Sequence, residues 1–137
     1  MDKVLFVGIC PSDKSPDNSS FHENTKSGKV LRAWIESIDI DLNKIDYYNI
    51  IPYKTTQTLS RKHLNLPLIT QDIVEVMAPK KVVALGKFVS VTLEHLGIEH
   101  LAFDHPSGMN RKLNNKQYLE DRLKELKEYL CDQPSIS

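Results

Sequence analysis

A surplus of charge is missing from this chain: 18 Lys and Arg balance 18 Asp and Glu across 137 residues. Neutrality argues against a dedicated electrostatic clamp for nucleic acid, while leaving room for a local basic rim. Cysteine is scarce as well. Cys10 and Cys131 stand near opposite ends and form no CxxC or other metal-type pattern, which points to a reduced, cytoplasmic protein. Long apolar runs are lacking, since the run in MDKVLFVGIC is too short to span a bilayer and carries no signal-peptide cleavage pattern. Repeats and low-complexity segments are absent. So are a P-loop, GxGxxG, GxSxG and HExxH. His22, His63, His95 and His100 show no metal-ligand spacing, and no cofactor is implied. The expectation is a soluble monomer that engages no membrane.

What remains is an ordinary domain composition, 40% hydrophobic and 26% charged, long enough to bury a core without disulfides. Residues 1–131 read as a single domain and 132–137 as a frayed tail. Short apolar runs alternate with amphipathic ones. KVLFVG (3–8), DYYNI (46–50), KKVVALG (80–86) and IEHLAF (98–103) read as strands. SGKVLRAWIESI (27–38) places Val30, Leu31, Trp34, Ile35 and Ile38 at helical spacing, with Ser27 as an N-cap. NLPLITQDIVEVM (65–77) tolerates Pro67 in its first turn, and FVSVTLEHL (88–96) is closed by Gly97. KQYLEDRLKELKEYL (116–130) carries the stripe Tyr118, Leu119, Leu123, Leu126 and Leu130. This alternation predicts an α/β three-layer sandwich: a central four-stranded parallel sheet with helices on both faces and right-handed crossovers.

Ligands in such sheets bind outside the carboxyl ends of the strands. That rule selects 9–26, 51–63, Gly86–Lys87 and 104–115, and the first and last of these should meet. In the last, DHPSGMNR (104–111), His105 either caps the turn before Pro106 or donates to a developing anion. Asn49 either terminates its strand or presents one acceptor and two donors to a nucleobase edge. In GICPSDKSPDNSSF, Gly8 permits close backbone approach and Pro11 sets the turn. Phe21 either covers the core or stacks on a base. Asp13, Asp17 and Glu23 are solvated loop charges or orienters of water. Lys54, Arg61, Lys62, His63, Arg111 and Lys112 are candidates for a phosphate-contacting rim. Cys10 has no activating partner nearby and reads as a buried thiol.

With these segments in order, the chain resembles the uracil-DNA glycosylase superfamily over nearly its whole length, from VLFVGICPS to HPSGMNR. GICPS (8–12) looks like that family's loop after the first strand. HPSGMNR (105–111) is similar to the NPSGLSR-type loop of the mismatch-specific uracil glycosylases. SGKVLRAWIESIDIDLNKIDYYNIIPYK and APKKVVALGKFVSVTLEHLG are similar to segments of the thermophilic-type enzymes. The resemblance implies DNA carrying uracil or a related base as partner and hydrolysis of the N-glycosidic bond as reaction.

It further implies roles for single residues. Asn49 matches the amide that reads the base edge, His105 the histidine that stabilises the departing base, and Phe21 the aromatic beneath it. Met109 stands at the wedge position, with Ser107, Asn110, Arg111 and Ser12 on the DNA. Ile9 and Cys10 fall in the base-binding loop where members carry Glu, Asp or Asn, so the usual water-activating side chain is missing. Asp13 is the loop carboxylate left to help the water, and two cysteines exclude a four-Cys iron–sulfur cluster. Base binding without cleavage, or action on a free nucleoside or nucleotide, are the alternatives that these departures keep open.

Overall fold

The computed structural model describes residues 3–9, 25–51, 62, 64–106 and 115–131. Four strands, β1 (Val4–Gly8), β2 (Ile45–Asn49), β3 (Lys81–Leu85) and β4 (Leu101–Phe103), form one sheet. Their order is β2-β1-β3-β4, and every pairing is parallel. The helices are α1 (Lys26–Ser37), α2 (Leu66–Thr70), α3 (Lys87–His95) and α4 (Lys116–Cys131).

Strands buried on both faces need apolar side chains at every position, and Val4–Gly8 is buried throughout. Alternate residues feed two cores. Val4 and Phe6 join Leu31, Trp34 and Ile35 of α1 and Leu126 and Leu130 of α4 on one face. Leu5 and Val7 join Ile69 of α2 and Val89 and Leu93 of α3 on the other. The three-layer α/β architecture read from the sequence is therefore the architecture found. The first crossover runs one way across the sheet and the next two run the other way. The helices change face to match, as one crossover hand requires.

Most boundaries fall within a residue or two of expectation, and three shifts have a clear local cause. α1 begins at Lys26, because extended Thr25 caps it by accepting from the Gly28 amide at 3.0 Å; Ser27 lies inside the first turn. The 65–77 segment starts as α2, capped by Asn65, then widens into a π-helical stretch, Gln71–Met77. That stretch ends where the Ala78 amide donates to Ile73 O at 3.0 Å, and the Tyr48 hydroxyl ties it to β2 through Asp72 at 2.7 Å. β4 begins only at Leu101, because Ile98 is used to close α3. The Ile98 amide donates to Leu93 O and the Gly97 amide to Glu94 O, with Gly97 at φ 72°, a Schellman ending. No helix among the described residues is long and apolar enough to cross a membrane.

Candidate base-recognition site

Parallel pairing brings all carboxyl ends to one edge of the sheet: Gly8 stands opposite Asn49, and Leu85 opposite Phe103. Strand order reverses between β1 and β3, so a crevice is expected above their ends. Pairing of β1 with β2 even continues past the strands, through Ile50 N to Gly8 O at 3.0 Å and Ile51 N to Ile9 O at 2.8 Å. Ile9 leaves β1 half-buried against the core shared with α2 and α3.

Asn49 sits at this edge and is only 6% exposed. Its Nδ2 is buried and finds no hydrogen-bond partner among the described residues. Leaving a buried polar group unsatisfied costs about 1–3 kcal/mol, so the site carries a donor that the fold itself does not use. Opposite it stands Gly8, which has no side chain, and two strand spacings away, roughly 10 Å, lies the turn after β3.

That turn is Gly86, at φ 99° and ψ 158°, a region that is essentially glycine's alone. Its amide donates to Phe103 O at 2.9 Å and so joins the ends of β3 and β4. A Cβ placed on Gly86 would lie 3.7 Å from the His105 Cβ, which is ordinary contact distance. The His105 Cβ therefore lies beside the end of β3, one strand from β1. Space would admit Gly86→Ala, but the dihedrals would not, and a loss of about 1–3 kcal/mol is expected. Urea unfolding checks this; an unchanged midpoint would show that the turn relaxes freely.

Burial lowers the His105 pKa from 6.5, which keeps the imidazole neutral at pH 7. A neutral ring still has one N–H to donate. Because the folded value lies below the unfolded one, the unfolded chain takes up the proton first as pH falls. The stability contributed by this group is complete above about pH 6.5 and is lost as pH falls through the lowered folded value. Thermal unfolding between about pH 7 and 5 is expected to decline less in His105→Ala than in the parent. Parallel declines would contradict the assignment.

Residue 104 has a role that its sequence neighbours did not reveal. Asp104 Oδ2 accepts from the Tyr118 hydroxyl at 2.7 Å, and Oδ1 from Arg122 Nε at 2.9 Å. Arg122 also donates to Ala102 O at 2.7 Å, pairs with Glu125, and stacks over the Phe103 ring, 4.8 Å from its centroid. Beside this network an open groove of about 400 Å³ runs past Gly86, Lys87, Ser90 and His105. The signal available in sequence was an acid just before His105, and Tyr118 and Arg122 four apart on one helix face.

Of the residues singled out from the sequence, Asn49, His105 and Ile9 are described, all at the carboxyl edge. Cys10, Ser12, Asp13 and Phe21 of the first loop lie outside the described residues, as do Asp17 and Glu23. So do Ser107, Met109, Asn110 and Arg111 of the last loop, and the rim candidates Lys54, Arg61, His63 and Lys112; Lys62 is exposed. The meeting of these two loops therefore also falls outside them. His100 is held away from this edge, with Nδ1 donating to Ile98 O and Nε2 accepting from Ser90, both at 2.8 Å. Among the described residues no three His, Cys, Asp or Glu side chains gather as a metal site.

No curated protein matches the chain. The family model described as the uracil DNA glycosylase superfamily matches residues 1–127, which takes in all four strands and most of α4. Together with the parallel sheet and the edge that joins Asn49, Gly86 and His105, that match makes the chain a member of the uracil DNA glycosylase superfamily.

Proposed function

We propose that this protein is a DNA glycosylase that hydrolyses the N-glycosidic bond of uracil, or of a related deaminated or modified base, in DNA. The observation that carries the reading is the Nδ2 of Asn49, buried at the carboxyl edge of the sheet without a partner among the described residues. Uracil offers the matching groups: O4 accepts from Nδ2, and N3–H donates to the amide oxygen of the same side chain.

The base must leave the stack to reach this edge, at a cost of a few kcal/mol. Met109 is assigned as the wedge that fills the gap, Phe21 as the aromatic for the base, and Cys10 with Ile9 as base-binding residues. Ser12, Ser107, Asn110 and Arg111 hold the strand. The bond from C1′ to N1 then breaks, and its electron pair stays with the base. Neutral His105 donates its N–H to the oxygen on which that charge collects. Water adds to C1′ and loses its proton, with Asp13 as the carboxylate that helps it. No protein nucleophile is needed.

A second reading, base binding without cleavage, rests on Ile9. Its side chain packs into the core, at the loop position where a water-activating group is otherwise expected. Net neutrality also suits a free nucleoside or nucleotide as ligand, since DNA affinity scales with the phosphates engaged. End-labelled oligonucleotides carrying uracil, uracil opposite guanine, hypoxanthine or hydroxymethyluracil, single-stranded and duplex, separate these readings. Alkali-labile sites are the expected result. Tight binding with intact strands under every condition would favour the non-cleaving reading.

A further inference from the structure

We infer that Asp104 is a positioning residue for His105, held by α4 through Tyr118 and Arg122, so that the last helix aims the histidine at the leaving base. The inference rests on the glycosylase reading above and adds to it a residue that touches neither base nor sugar. Its basis is geometric. The Asp104 side chain is only 9% exposed, and each of its oxygens receives a donor from α4, at 2.7 and 2.9 Å. Arg122 grips the residues immediately before it as well, bonding Ala102 O and covering the Phe103 ring. Three consecutive residues leading into His105 are thus fixed to one helix, 14 to 20 positions further along the chain.

On the other side Pro106 biases His105 toward extended backbone, because proline disfavours the helical region for the residue before it. The histidine backbone is therefore held from both directions, with its Cβ beside Gly86. Charge and fork geometry are both used: the guanidinium bonds Asp104 with Nε and Ala102 O with a terminal nitrogen, whereas an ammonium would have to serve both from one nitrogen.

Tyr118→Phe is the mildest test, since it removes one hydroxyl and keeps the ring. Arg122→Lys is the second variant, and Glu120→Gln, on the exposed side of the same helix, is the control. In the intact protein, NMR signals of the His105 imidazole, assigned by their loss in His105→Ala, are expected to move and broaden in both test variants. Those of His100, held by Ser90 and Ile98 O, are expected to stay. On uracil-containing DNA, kcat should fall about tenfold with KM within about twofold, less than the hundredfold that a full ångström of misplacement can cost. In a His105→Ala background, Tyr118→Phe should have no further effect, because both act through one group. Unmoved His105 signals, or equal losses in both backgrounds, would overturn the inference, whatever happens to the melting temperature. Were the parent protein to release no base at all, the glycosylase reading would fall, and the imidazole signals would still decide whether α4 positions the histidine.

Discussion

His105→Ala is expected to slow release of uracil from DNA by about 10²–10³-fold while leaving DNA binding within a fewfold of the parent. The magnitude is that of removing one preorganised donor from a developing anion, about 2.7–4 kcal/mol of transition-state stabilisation. Burial works in favour of this role. It lowers the imidazole pKa, so the ring stays neutral and keeps one N–H as a donor. Binding should persist because affinity for DNA comes mainly from phosphate contacts, to which a single neutral ring adds little. Single-turnover kinetics with saturating enzyme, alongside fluorescence anisotropy, separates the two effects. A loss in binding that accounts for the whole loss in rate would make His105 a DNA contact and move the anion-stabilising donor elsewhere.

The second large effect is expected at Asn49. On the proposed reading, Asn49→Asp exchanges the donor assigned to O4 for an acceptor, so uracil should meet repulsion in place of a hydrogen bond. One good bidentate contact is worth about 1–3 kcal/mol, and a buried polar site left mismatched discriminates more strongly. Uracil release should therefore fall at least about a hundredfold. Cytosine presents an N4 amino donor instead of O4, which a carboxylate accepts, so release of cytosine should become detectable where the parent shows none. Paired assays on uracil and cytosine oligonucleotides check the exchange. Equal loss on both bases, with the fold intact by circular dichroism, would show that Asn49 supports the strand end and does not read the base. The register argues for reading: Gly8 across from it carries no side chain, and Nδ2 has no partner among the described residues.

Much of this architecture was legible in the chain because strands covered on both faces must be apolar at nearly every position. VLFV and KVVAL announce themselves in that way, and the helix stripes ending in Leu126 and Leu130 do so by their spacing. The boundaries that slipped did so for local reasons. Thr25 and Ser27 are both competent caps, and only the extended backbone at Thr25 decides between them. Ile98 has the composition of a strand residue but spends its amide on closing α3. The apolar pattern of 65–77 does not separate an α-helical from a π-helical turn.

The candidate site divides along the same line. Asn49 and His105 could be picked out because the carboxyl ends of parallel strands are where ligands bind, and polar residues there are conspicuous. That Asn49 keeps a donor unpaired is a property of the packed molecule, invisible until its neighbours are in place. The Asp104 clamp depends on partners 14 and 18 residues distant, and nothing in DHPSGMNR itself calls for Tyr118 or Arg122. Gly86 shows the same gap. Its glycine is required by a φ of 99° beside His105, whereas the sequence shows only the end of an apolar run.

The central claim is that the spare amide of Asn49 reads a base edge, and its side-chain NH₂ signals test this most directly. Free uracil titrated into ¹⁵N-labelled protein should shift that pair of signals in a saturable way, while cytosine leaves them unmoved. Identical responses to both bases, or none to uracil at concentrations that saturate any other site, would contradict the account.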